Sequence, residues 1–477
     1  MPPADFAEPL RILMLTTFYP PHSFGGDAVS VQRMARALAA RGHEVTVVHD
    51  RDAFRALGGG PPPGQPAGQP AEPASEPAPD DGVRVIGLSS PLGAVSPLLA
   101  QQTGRPVVHG ARLRRLVARW RPDILWHNNV SLMGGPGVLD LEAPLRVYEA
   151  HEHWLVCPTH VLWHHSGAPC ASRDCLRCVL SHRRPPQFWR GTGYLDRQLD
   201  KMDLIVAKSR FSRDMHHARG LRHEMEVLPL FLPPAPEQGS ELDPGGASDG
   251  GPGPGASREG AAGPLHPRPY FLFVGRLEKI KGVQDLIPAM AGQGGADLLI
   301  IGGGDHADAL ARLAGDNPRL HFLGRMPPEA LAAYYRDAIA LLVPSLCYET
   351  FGAILIESFR MGTPVIARRR GPFPEIVEAA GGGLLFDTPG DLAEAMRLLQ
   401  TDPARRAALS AAARAGFDRH WREDRVLAAW GAALAGAARR KGETALARRL
   451  EVSLGPAAAG PDRPAAPRPP AAAERRR

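Results

Sequence analysis

Short apolar runs recur along the chain, each followed by a loop and then by apolar positions at helical spacing. Residues 11–15 (Arg-Ile-Leu-Met-Leu) predict a buried strand. A glycine-bearing loop and a helix near Ala28–Arg41 come next, with Gly42 at the helix end, and then a strand over Glu44–Val48. The pattern returns with a strand at Val83–Gly87, a helix at Ala111–Trp120 and strands at Asp123–Trp126, Leu145–Glu149 and Leu204–Ala207. It restarts further on, with strands at Tyr270–Val274, Asp297–Ile301, Leu320–Leu323, Ala338–Val343, Val365–Ala367 and Leu384–Phe386. Helices near 283–292, 306–314, 328–336, 352–361 and 391–400 separate them, and residues 403–438 read as helical. Strands alternating with helices predict an α/β protein with two parallel, doubly wound sheets.

Composition sets the boundaries. The 477 residues include 52 Gly and 49 Pro, crowded into two stretches. Residues 58–82 hold 14 Gly or Pro and residues 233–269 hold 18. The first buries too little apolar surface to order itself, and the alternation restarts cleanly after the second. The expected organisation is an N-terminal domain over 1–232 carrying a disordered insertion at 58–82, a linker at 233–269, a second domain at 270–418, a closing helix at 419–438 and a disordered basic tail at 439–477. The net charge of +6 resides in that tail, which has ten Lys/Arg against four Asp/Glu. The body is balanced, which argues against a nucleic-acid partner. The tail is either a solvated end or a contact with an anionic membrane surface. With no apolar run of 18 residues, no signal-like start and only five Cys, the expected location is cytoplasmic, with peripheral attachment at the inner membrane face as the tail's alternative.

Candidate chemistry lies where strands hand over to helices. Glu349-Thr-Phe-Gly-Ala-Ile-Leu-Ile-Glu357 follows the strand at 338–343. Gly352 opens a helix that reads as apolar nearly all round, hence buried, with Glu357 inside it. A buried carboxylate needs hydrogen-bond partners, and a ribose diol is one, other protein groups the alternative. Free amides at Phe351, Gly352 and Ala353 suit phosphate. The turn Arg276-Leu-Glu-Lys-Ile-Lys281 holds two of the chain's five Lys, suited to a diphosphate or simply solvated. Gly25-Gly26 opens the first helix, allowing either close ligand approach or a tight turn. No G-x-G-x-x-G follows the first strand, which argues against a dinucleotide enzyme. Asp50-Arg-Asp52 reads as surface acid. Cys157, Cys170, Cys175 and Cys178, with His153, His160, His164 and His165 among them, read as a structural metal site, zinc first, or as free thiols.

Together these residues resemble the retaining glycosyltransferases of family 4, with the GT-B fold of two Rossmann-like domains facing a cleft. The Cys-bearing run after His151 resembles a subset of that family. The resemblance implies transfer of a sugar from a nucleotide-sugar (UDP-, GDP- or another NDP-sugar) to a sugar, lipid-linked or small-molecule acceptor, with retention at the anomeric carbon and no catalytic cofactor. It implies His151 and Glu349 as catalytic residues near the donor sugar, and Glu357 on the ribose. Arg276, Lys281, Phe351 and Gly352 would hold the diphosphate, Gly25 and Gly26 would line the donor, and Arg325 and Met326 would flank the nucleobase. A sugar-nucleotide epimerase or a phosphorylase of the same fold is the second reading, and a non-enzymatic metal-cluster binding module the third.

Overall fold

The computed structural model describes residues 8–60, 78–234, 265–292 and 294–455. Most of the insertion at 58–82 and of the linker at 233–269, and the end of the tail, lie outside the described residues.

The N-terminal strands are β1 (Arg11–Leu15), β2 (Glu44–Asp50), β3 (Ala78–Asp80), β4 (Val83–Leu88), β5 (Ile124–His127), β6 (Leu145–Ala150), β7 (Leu204–Ala207) and β8 (Glu226–Val227). They form one sheet in the order β3-β4-β2-β1-β5-β6-β7-β8, parallel except for the β3–β4 pair. The second sheet takes β9 (Tyr270–Val274), β10 (Asp297–Ile301), β11 (Leu320–Gly324), β12 (Leu341–Val343), β13 (Val365–Arg368) and β14 (Gly383–Phe386) in the order β11-β10-β9-β12-β13-β14, all parallel. Both are doubly wound as expected. Burial on both faces is why the central strands read as continuous apolar runs.

Four sequence expectations need correction. Residues 439–455 are not a disordered tail: a helix at Thr444–Leu454 follows the helix Glu423–Lys441. Leu446, Ala447, Leu450 and Leu454 are buried, a helical stripe hidden in an Arg- and Ala-rich composition. The closing helix packs on the first sheet, where the Trp430 and Trp126 ring centroids are 4.5 Å apart. Arg449 pairs with Asp123 at 3.1 Å and Lys441 with Asp203 at 2.7 Å. Second, the insertion ends in β3, which pairs with β4. Third, Asp50 and Asp52 are not surface acids, since neither has exposed area. Asp50 caps the short helix Arg51–Ala56 by accepting from the Ala53 amide at 3.0 Å, and Ser90 donates to Asp52 at 2.7 Å. The helix expected at 283–292 is broken into short turns because Pro288 in its interior lacks an N–H.

The chain passes between domains twice, side by side. Leu232 N–H donates to Trp421 O at 3.0 Å, and Glu423 N–H donates to Leu232 O at 3.1 Å.

Candidate active site

In the second sheet the strand order reverses between β9 and β12, and the loops leaving those two strands meet there. Open α/β sheets bind ligands at such a reversal. Lys281 follows β9 and Glu349 follows β12; Lys281 Nζ stands 2.6 Å from Glu349 Oε1, and Ser345 Oγ donates to the same oxygen at 3.2 Å. Burial would push the Glu349 carboxyl up, but the Lys281 ammonium, with the Ser345 bond, holds it below the usual carboxylate range. Burial likewise opposes the Lys281 charge, and Glu349 more than restores it. The Leu346 amide donates to Ile280 O at 2.8 Å, binding the loops together. Gly282 permits this approach: φ is +75°, and a Cβ would lie 2.2 Å from the Pro344 carbonyl oxygen.

The helix after Glu349 runs Ala353–Arg360 with Gly352 as its N-cap, at φ +111°. A Cβ on Gly352 would stand 2.8 Å from the Phe373 ring. Phe351 is buried. Glu357 is half-buried rather than enclosed, because the helix turns only Leu355, Ile356, Ser358 and Phe359 inward. The Tyr335 hydroxyl donates to Glu357 Oε2 at 2.9 Å, so part of the carboxylate already has a protein partner. Arg276 leaves β9 largely exposed, with Glu278 as its ion-pair partner. Arg325 follows β11 and lies against Gly303, while Met326 packs beside the Leu355–Phe359 core. These three residues share the carboxyl edge of the sheet with Lys281 and Glu349.

The first sheet reverses between β1 and β5. Gly25 and Gly26 open the helix Gly26–Ala39 there, and Asn129, just after β5, donates to Asp27 at 3.3 Å. His151 follows β6. Its Nε2 is 3.0 Å from Asn128 Oδ1 and 3.3 Å from Glu149 Oε1. Two acceptor oxygens facing Nε2 assign the proton to that nitrogen and leave Nδ1 an acceptor. Burial lowers the imidazole pKa against the pull of Glu149, which favours the neutral ring.

Sequence reasoning missed the group that holds His151. Lys208, at the end of β7, is 2% exposed, ion-paired with Glu149 and 5.1 Å from the Trp430 ring centroid. Trp126 Nε1 donates to the other Glu149 oxygen at 2.7 Å. Burial opposes the Glu149 charge, yet Lys208, His151 and this bond keep its pKa below the usual value. A signal was present: Lys208 is one of five Lys and follows an apolar strand directly.

The two halves touch at this point. Thr350 Oγ1 donates to His151 O at 2.8 Å, and Ser209 Oγ donates to Thr350 O at 2.6 Å. The Arg210 and Phe211 amides donate to Glu375 at 3.0 and 3.3 Å. His151 and the Glu349 loop thus meet across the interdomain cleft.

The four cysteines form no disulfide with one another. Cys157 Sγ is 3.3 Å from Thr159 Oγ1, and Cys170 Sγ is 3.2 Å from Ser172 O. Cys178 instead faces histidine, with Sγ 3.6 Å from His165 Nδ1.

Residues 24–235 match the family described as Glycosyltransferase Family 4, and residues 261–416 match Glycosyl transferases group 1. The D-inositol 3-phosphate glycosyltransferase of Corynebacterium kroppenstedtii is 36% identical over 169 residues, covering 32% of this chain and 37% of that protein. D-inositol 3-phosphate glycosyltransferase 1 of Catenulispora acidiphila is 35% identical over 189 residues, covering 35% and 44%. The matched stretches thus span less than half of these relatives. Among solved structures, sucrose-phosphate synthase from Thermosynechococcus elongatus superposes with TM-score 0.62 at 19% identity over 93% of this chain and 100% of that one. Anabaena Alr3699/HepE, solved in complex with UDP and glucose, gives 0.53 at 16% over 91% and 99%. These superpositions establish the GT-B arrangement of two Rossmann-like domains.

Proposed function

We propose, from a GT-B chain whose halves match two glycosyltransferase families, that this protein is an enzyme transferring a sugar from a nucleotide-sugar to an acceptor hydroxyl. The observation that carries this reading is the Lys281–Glu349 pair at the reversal point of one sheet, joined to His151 of the other through Thr350. The bond to be broken leaves a nucleoside diphosphate, and charge builds on it. Lys281, Arg276 and the amides at Phe351, Gly352 and Ala353 supply fixed positive potential there. On this reading no catalytic cofactor is needed. Glu349 and the Nδ1 acceptor of His151 would take donor-sugar hydroxyls, Glu357 the ribose, Gly25 and Gly26 the donor's near face, and Arg325 and Met326 the base. The acceptor attacks from the face the leaving group vacates, which retains configuration.

UDP-sugars are the first donors to test, because HepE is held with UDP and UDP-glucose. The names of the relatives point to a phosphorylated polyol acceptor, ahead of a lipid-linked or other sugar acceptor. Attachment to the inner membrane face through the basic C-terminal residues belongs to this reading as well.

A panel of UDP- and GDP-sugars, read as nucleoside diphosphate released with and without inositol phosphates, tests the proposal. One donor should turn over, and Glu349→Gln should lower its kcat/KM about ten- to hundredfold. That is the scale of losing about 1.5–3 kcal/mol of charged hydrogen bonding. Neither binding nor turnover with any donor would refute it.

A further inference from the structure

Between β6 and the helix Cys175–Ser181 the chain runs 24 residues, 151–174, without a regular element. Loops of this length inside a compact domain are uncommon and usually functional where they are ordered. Part of the order comes from a small hairpin. Cys170 N–H donates to Leu162 O at 2.7 Å, His164 N–H donates to Ala168 O at 2.8 Å, and Gly167 makes the turn at φ +83°. His164 and His165 stand at the hairpin tip, with ring centroids 3.9 Å apart. The tip faces the helix, where Cys178 is buried.

We infer that His164, His165 and Cys178 bind one zinc-class metal ion, with Cys175 as the fourth ligand. Three observations support this. The ligand atoms of His164, His165 and Cys178 all lie within 4.8 Å of one another. A tetrahedral zinc with nitrogen at about 2.0–2.1 Å and sulfur at about 2.3 Å sets its ligands roughly 3.3–3.8 Å apart, and His165 Nδ1 to Cys178 Sγ is 3.6 Å. Next, His164 Nε2 is buried without a hydrogen-bond partner, while its Nδ1 lies 2.7 Å from Ser166 Oγ. The Ser166 amide also donates to His164 Nδ1 at 3.2 Å, so ion binding at Nε2 displaces the proton that this ring nitrogen carries. Finally, Cys175 sits three residues before Cys178 on one helix, which puts both on one face. Two nitrogens and two sulfurs close a structural site without water. The ion would pin the hairpin to the helix and hold the loop that starts at His151. Cys157 and Cys170 fall outside this ligand set.

Elemental analysis of the full chain, purified without a metal-affinity column, tests the inference independently of any sugar donor. The expected content is one zinc per chain, falling at least fivefold in Cys178→Ser and in the double variant His164→Ala/His165→Ala. Cys157→Ser and Cys170→Ser should keep it. Cobalt exchange guards against misfolded variants: the wild-type chain should give a tetrahedral cobalt spectrum with thiolate charge transfer. A metal content near zero, or a spectrum without thiolate bands, would overturn the inference. So would retention of zinc in Cys178→Ser, iron in place of zinc, or loss of the ion on removing Cys157 or Cys170.

Discussion

Asp50 ends β2 with no exposed area, and its carboxyl is pushed up to about 7, first by burial and then by Asp52. Its Oδ2 has no hydrogen-bond partner, and the buried His109 imidazole clusters with both Asp50 and Asp52, 3.5 Å from the latter. The sign follows from linkage. The unfolded chain releases this proton near the ordinary Asp value while the folded chain keeps it, so stability falls as pH rises between the two. Asp50→Asn keeps the cap oxygen and removes the charge. It should raise Tm about 2–4 °C per kcal/mol regained at pH 8 and change nothing at pH 4, read by thermal unfolding at both values. Equal Tm shifts at the two pH values would show that the carboxyl does not titrate in this way. From sequence Asp50 reads as a surface acid, and Lys208 attracts no reading at all. Their burial is created by distant segments, Ser90 beside Asp52 and Trp430 over Lys208, which local pattern does not reveal.

The strands at the centre of each sheet were legible because burial on both faces leaves an unbroken apolar run. β3 and β8, of three and two residues, were not, since each exists only through its partner strand. The loops after β9 and β12 were recognisable as candidate chemistry from Lys281 and Glu349. Their mutual contact was not, because it depends on Gly282 letting one loop ride over Pro344. Gly282→Ala places a Cβ against a backbone oxygen at a positive φ, at a cost of roughly 1–2 kcal/mol for the backbone conformation alone. The loop should lift and separate Lys281 from Glu349, weakening nucleoside diphosphate binding at least tenfold with only a modest drop in Tm. Calorimetric titration beside a thermal scan reads both quantities. Unchanged affinity would mean the loop contact does not shape the ligand site.

Two doubly wound domains with a cleft between them follow from the alternation of elements. The fate of the C-terminal helices does not, because composition masks the stripe Leu446, Leu450 and Leu454. Ending the chain after residue 442 removes three buried leucines worth about 1.5–3 kcal/mol each. That is comparable with the whole stability of a typical domain, about 5–15 kcal/mol. The truncated protein should be cut by protease within 8–234 while 270–420 resists; a digestion pattern like the full chain's would count against this packing. The same feature bears on biosynthesis. A ribosome delivers β1–β7 early, but Trp126, Val147 and Val206 share their core with Val426, Trp430 and Leu434, which emerge only after the second sheet is complete. The later domain can therefore finish folding first, while the earlier one carries an open apolar face through most of translation, a natural client for chaperones until its last cover arrives.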